Sequence, residues 1–466
     1  MSAGALRATS DPVPGLIRKI AVPAGTGMLF QTFFNVVDTW YAGLISTQAL
    51  AALAISFPVF FIVIALMVGI GFGASALIAN AIGAEDRRLA SRLFGQAILL
   101  ALIAGVIVAI YGLLAADPLF RLAGAIDETL ALAKLYLVPI LLASGLFLLV
   151  GVCNGFLSAQ GDSKTYRNAL VGGSLLNVAL NPLFMFGIGP IPGLGVLGIA
   201  ISTILIQGLQ LVYLWRQALQ SELGSCFSIR DLKADPVVMG ALLRQALPVG
   251  GQMLTTGIGL FAITYFMGRH GETAIAAYGI GLRIEQVAML PMIGLNTAAL
   301  TLIGQNYGAR KWDRMIEAAR LVLGYGVFLM AVSAILVWLF RLDLMALFAD
   351  DADVIHLGGA YLAIAVLNFK AYAILIIGSG ILQAMKRPVF ALFIGLFRHV
   401  FGPLVVLWLL DPVLGFGLPG IYWGIFAIAW IGALTVLFYV RYRLQRIGVA
   451  DLPLSARAVQ ISPGRE

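Results

Sequence analysis

Asp38 stands in the apolar run NVVDTWYAGLIS, where a carboxylate must be neutralised or partnered. Gln31, Asn35 and Asp38 follow at spacings of four and three, which on a helix share one face. Asn177 and Asn181 in LLNVALNPLF repeat the four-residue spacing, and Pro182 interrupts the backbone hydrogen bonding beside them. Thr203, after the glycine-rich turn GPIPGLGVLG, adds a hydroxyl. A carboxylate beside amide, hydroxyl and freed carbonyl oxygens is the chemistry of a proton or hard-cation site. A ligand that neutralises Asp38 excludes a second cation from it, and that competition is what antiport requires. Each part also has a structural reading. Asp38 could mark a helix end at the headgroup level beside Trp40 and Tyr41. Asn177 and Asn181 could bond to neighbouring helices, and Thr203 could simply pack.

A second set of charges occupies later apolar runs: Arg283 and Glu285, Lys370, and Arg398 with His399. Three strong cations face one acid, so Glu285 is expected to pair with one or two of them, because an unpaired buried charge is costly. Arg283 and Glu285 lie two apart and point to different sides of their helix. This reads as a charge network pinning helices 8, 10 and 11, or else as a second titrating centre or a docking point for anionic parts of a substrate. Phe33, Phe34, Tyr41, Tyr265, Tyr278, Met253, Met289 and Met292 are candidates for a soft, adaptable cavity wall. In any membrane bundle, many such residues face lipid or packing partners instead. No catalytic constellation, phosphate loop or cofactor motif is present, so the chain does not read as an enzyme.

The elements that must position these residues are membrane helices. Hydrophobic residues make up 61% of the chain and charged residues 11%, where a soluble domain carries about 25% charge. Mean hydropathy is +0.98. Continuous apolar runs of about 20 residues exclude a β-barrel, whose strands alternate. Twelve spans are predicted, at 16–42, 52–79, 93–116, 132–153, 168–188, 195–215, 243–267, 275–303, 319–340, 356–383, 389–410 and 417–440. The fold class is an all-α polytopic membrane protein.

The second half repeats the first. AVPAGTGMLF at Ala21 aligns with ALPVGGQMLT at Ala246, Gly83 with Gly308 and Gly155 with Gly380; each offset is 246 − 21 = 308 − 83 = 380 − 155 = 225. Two joined copies of one bundle are a design of alternating-access transporters. The chain divides into a tail (1–15), a first lobe of helices 1–6 (16–215), a charged linker (216–242), a second lobe of helices 7–12 (243–440) and a tail (441–466).

Lys and Arg gather on the even loops and both tails, which predicts cytoplasmic termini. The net charge of +8 is mostly this orientation signal, and nucleic acid is not an expected partner. The first span is too long for a signal-peptide core. Cys153 and Cys226 are the two cysteines, one in a span and one in the linker, so no disulfide is expected.

Helix 1 NVVDTWYAGLIS, helix 5 LLNVALNPLF, the loop pair IGAEDRRLA and NYGARKWDRM, and helix 8 YGIGLRIEQVAMLPMIGLNTA together resemble the multidrug and toxic compound extrusion (MATE) family, closest to its DinF-like branch. The likeness runs from about Leu16 to Arg443. It implies two six-helix lobes in a V that export organic, mainly cationic, amphipathic compounds against entering H⁺ or Na⁺. Asp38 takes the place of the branch's coupling aspartate. Asn177, Asn181 and Thr203 match its polar surroundings, and Na⁺ at Asp38, Asn177 and Asn181 is the candidate metal.

Two departures stand out. Asn181 replaces an aspartate usual in the branch, which removes one negative charge. Helix 7, QMLTTGIGLFAITYF, lacks the carboxylate of the NorM-like branch. The expected setting is a monomer in a prokaryotic plasma (inner) membrane, with drugs or toxic metabolites and the lipid bilayer as partners and no cofactor beyond the coupling ion. The alternative is an exporter or flippase of lipid-linked precursors or other anionic substrates. A non-transporting receptor or scaffold is disfavoured, because no sizeable extramembrane domain is present.

Overall fold

The computed structural model describes residues 8–122, 127–188 and 191–447. Arg7, Arg457 and Arg465, which enter the orientation count, lie outside them. The described chain is helical apart from a two-residue hairpin, Gly187–Ile188 with Ile191–Pro192. The first lobe holds α1 (Val13–Ile45), α2 (Thr47–Gly83), α3 (Arg87–Leu122), α4 (Asp127–Leu142 and Ser144–Ala159), α5 (Lys164–Phe186) and α6 (Val196–Gln220). The second holds α7 (Pro236–Gly268), α8 (Glu272–Gly308), α9 (Trp312–Leu339), α10 (Ala352–Ala384), α11 (Pro388–Val413) and α12 (Gly417–Arg446). Eleven of these are long and apolar enough to cross a bilayer, and the two-part α4 makes the twelfth.

Two helices depart from regular form. Helix α4 bends by 49° at Ala143. Pro139 removes a backbone donor just before the bend, and Ser144 Oγ donates to the Gly105 carbonyl just after it. Helix α11 changes to π-type turns from Phe397 onwards, along a stretch that accommodates Pro403 and Pro412. Helix α1, by contrast, runs unbroken through Pro23.

The lobes meet on the face that carries both ends of the described chain. Gly25 approaches Pro291, Gly294 approaches Ala21, and Gly69 and Gly73 approach Ala246 and Gly250. At the helix ends, a Cβ on Gly83 would lie 1.8 Å from the Gln305 carbonyl oxygen, and one on Gly308 would lie 2.0 Å from that of Asn80. Such distances are open only to glycine. Three side chains bond across the seam. Asn80 Nδ2 donates to the Ala384 carbonyl at 2.9 Å, Gln305 Nε2 to that of Ala159 at 2.7 Å, and Thr301 Oγ1 to that of Ser158 at 2.7 Å.

Helix α1 belongs to both lobes. Its first turns, through Val13, Leu16, Ile17 and Ile20, sit in the core of the second lobe with Leu295, Ala298 and Leu302. Asn306 and Lys311 hold the preceding residues by donating to the carbonyls of Ala8 (3.1 Å) and Thr9 (2.9 Å). The far end of α1 packs through Val37, Tyr41 and Ala42 on Met185 and Ile199 of the first lobe.

The connector between lobes is shorter than its charge suggests, because polar turns extend α6 to Gln220 and α7 back to Pro236. What remains is docked on α3. The buried Asp231 carboxylate meets the Arg88 guanidinium at 2.8 Å and accepts from Ser91 Oγ at 3.1 Å and the Ser228 N–H at 3.0 Å. Gln96 Nε2 donates to the carbonyls of Asp231 (2.7 Å) and Lys233 (2.8 Å).

Candidate functional site

Asp38 is 6% exposed and α1 continues past it to Ile45, so it is neither a helix end nor open to water. The spacing of Asn177 and Asn181 on α5 brings both amides to it. Each Nδ2 donates to Asp38 Oδ1 at 2.8 Å. Hydrogen bonds to a carboxylate are stronger than neutral ones and favour its charged form. The opposite ends of these amides are idle: Asn177 Oδ1 and Asn181 Oδ1 are buried without a hydrogen-bond partner among the described residues. Thr203, on α6, lies beside Asp38. One carboxylate, two carboxamides and a hydroxyl thus meet where α1, α5 and α6 pack. Oxygen donors of this kind fit Na⁺ or a proton.

Gln31 and Asn35 do not join this cluster. Gln31 is half-buried and Asn35 exposed, and neither hydrogen-bonds to Asp38 among the described residues. The stripe of α1 that faces α5 and α6 runs through Phe34, Asp38 and Tyr41, which leaves Asn35 at its edge. Tyr136 of α4, which the sequence reading passed over, stands close enough to feel the charge of Asp38.

Four of the eight candidate cavity residues are packing residues. Phe34 and Tyr41 are buried, and the Tyr41 hydroxyl braces α1 to α5 by donating to the Val178 carbonyl at 3.0 Å. Tyr278 is buried edge-on against Tyr361, with ring centroids 5.3 Å apart. Met292 is wholly buried against Gly326 of α9. Phe33 and Tyr265 are exposed, and Met253 and Met289 are half-buried.

The buried network of three cations is also corrected. Arg283 and Lys370 are exposed and make no ion pair among the described residues; Arg398 is half-buried. Glu285 is buried and accepts a hydrogen bond from the Tyr361 hydroxyl. Arg398 lies over the Tyr372 ring, 4.7 Å from its centroid, and both are neighbours of Glu285. The reason is helical phase. Arg283 and Glu285 stand two positions apart, as do Lys370 and Tyr372, which turns each cation to the opposite side of its helix. Glu285 therefore sits among tyrosines with one nearby guanidinium. His399 contacts Thr255 Oγ1 through Nδ1 at 3.2 Å instead.

The MatE family profile matches the chain twice, over residues 23–183 and 248–408. A FAD transporter of Shewanella oneidensis is 27% identical over 398 residues, covering 84% of this chain and 86% of that one. The multidrug export protein MepA of Staphylococcus aureus is 24% identical over 440 residues, covering 93% and 95%. Among solved structures, a MOP superfamily transporter from Pyrococcus furiosus, described as having a binding pocket of reverse polarity that suggests a different function, superposes with a TM-score of 0.89. Its identity is 25%, and the match covers 96% of this chain and 99% of that one. An outward-facing multidrug resistance MATE family transporter superposes with a TM-score of 0.88 at the same identity and coverage. The two profile matches begin 248 − 23 = 225 residues apart, the spacing of the internal repeat. A duplicated twelve-span bundle matched once in each half, and along nearly its whole length by these transporters, belongs to the MatE family of membrane transporters.

Proposed function

We propose that the protein is an ion-coupled exporter of organic compounds, working by alternating access in a prokaryotic inner membrane with both termini in the cytoplasm. The observation that carries this reading is the Asp38 carboxylate, withdrawn from water between two amide donors whose own oxygens are unpartnered. An entering H⁺ or Na⁺ neutralises Asp38 and releases the Asn177 and Asn181 amides from their charged acceptor. Helix α1 is anchored in the first lobe at this end and in the second lobe at the other. A change at Asp38 thereby reaches the seam through one rigid element. The substrate leaves from between the lobes, the lobes rock, and the ion departs on the other side. Efflux of a fluorescent organic cation from proteoliposomes, driven separately by ΔpH and by ΔNa⁺, tests the coupling. Wild-type efflux by an Asp38→Asn protein under either gradient would remove the proposal.

One observation favours a second reading, an anionic substrate. Arg283 and Lys370 are exposed and unpaired within apolar spans, a costly placement that a water-filled cleft and an anionic ligand would relieve. The FAD transporter relative points the same way, because FAD carries phosphates. Adding FAD as a competitor in the same assay separates the two. Inhibition that disappears in Arg283→Gln and Lys370→Gln proteins supports the anionic reading.

A further inference from the structure

At the termini-bearing edge of the second lobe, α7, the α10–α11 turn, α11 and α12 line an open cavity of about 720 Å³. Its walls are largely apolar: Leu247, Pro248, Phe393, and the stacked rings of Phe390 and Tyr439, whose centroids are 3.9 Å apart. Arg244, Lys386 and Arg387 line it, and no acidic residue does. None of the three makes an ion pair with a described residue. Although accessible, Lys386 is desolvated enough by its neighbours to fall below the ordinary lysine range, the response of a cation lacking a counter-charge. Gln245, 4% exposed, lines the same cavity with its Oε1 unpartnered.

We propose that this cavity is a binding site for an anionic phospholipid, its phosphate held by Arg244, Lys386 and Arg387 and its acyl chains lying along Leu247, Phe390 and Phe393. Basic pockets between membrane helices at the headgroup level suit such lipids. A soluble phosphate would use the cations but leave the apolar wall without a purpose. The site adjoins the seam. Lys386 lies two residues beyond Ala384, whose carbonyl takes the Asn80 hydrogen bond, and Gln245 precedes Ala246, which meets Gly73 of α2. An occupant therefore touches two of the elements of the second lobe that close against the first. The inference is independent of what is transported.

The test is native mass spectrometry of the full chain in detergent with equimolar phosphatidylglycerol and phosphatidylcholine. Wild type should retain phosphatidylglycerol over phosphatidylcholine by at least roughly tenfold. The variant R244Q/K386Q/R387Q should lose that preference. A control with the same change in charge, R216Q/R230Q/K233Q, should keep it. Equal loss in both variants, or retention in the first, overturns the proposal. Displacement of phosphatidylglycerol by excess inorganic phosphate also overturns it and makes this a site for soluble anions. Should the first variant not fold, photo-crosslinking of a diazirine phosphatidylglycerol to wild type decides. Adducts are expected on Phe390 or Phe393, and adducts confined to other helices would refute the site.

Discussion

Asn80 and Gln305 occupy the same place in the two halves, 305 − 80 = 225, and make the same bond in opposite directions across the seam. Asn80 donates to the carbonyl of Ala384 and Gln305 to that of Ala159, themselves 384 − 159 = 225 apart. The contact follows the two-fold relation of the repeat, so each lobe closes the helix end of the other.

Removing both donors should loosen this closure. Each lost hydrogen bond costs about 1 kcal/mol, and somewhat more where a buried carbonyl is left bare. Asn80→Ala with Gln305→Ala should therefore raise opening on the termini-bearing face by on the order of tenfold. Thiol labelling of a cysteine placed at the buried Ala76, in a protein lacking Cys153 and Cys226, measures it; an unchanged labelling rate would dismiss the clasp.

Gly83 and Gly308 permit the helix crossing beneath that clasp. Alanine at either brings Cβ against backbone, which cannot turn aside as a side chain can. Overpacking of this kind typically costs about 1–3 kcal/mol. Gly83→Ala and Gly308→Ala should each lower the thermal midpoint in detergent by several degrees, whereas Gly172→Ala, with nothing near its Cβ, should not.

At the ion site, Asn181→Asp restores a second carboxylate beside Asp38 and should tighten Na⁺ binding by roughly tenfold, one charge-assisted interaction's worth. Isothermal titration with NaCl reads this directly. No gain would mean that the unpartnered oxygens do not converge on a cation.

Tyr361→Phe withdraws the hydroxyl that Glu285 accepts from and leaves a buried carboxyl under-bonded. A loss of about 1–3 kcal/mol is expected, measurable as a lower unfolding midpoint. Glu285→Gln in the same background should recover part of it, because the amide bears no charge to solvate.

Spacing and polarity made the Asp38 cluster legible in the sequence. A carboxylate and two amides at helical intervals are conspicuous in a run of apolar residues, and Pro182 marks the place. Tyr136 was not conspicuous, because tyrosine in a membrane helix reads as interfacial. The repeat held the missing clue: Tyr136 and Tyr361 are 225 apart, and each stands by the buried acid of its own lobe. The apolar surroundings of Arg283 and Lys370 predict burial, but hydropathy does not say which side of a helix faces the core. The bend at Ala143 and the π-type turns of α11 are equally silent, since apolar character runs straight through both. The twelve spans followed from length and composition alone, because a bilayer leaves the backbone few other choices.

The docking of Asp231 on α3 bears on how much work the covalent link does. If the connector is already part of the first bundle, chain continuity between Gln220 and Ser228 adds little to holding the halves together. Co-expressed as two polypeptides split there, the halves should find each other through the seam alone. A gene for one half, duplicated before any fusion, would then have encoded a working pair from the outset.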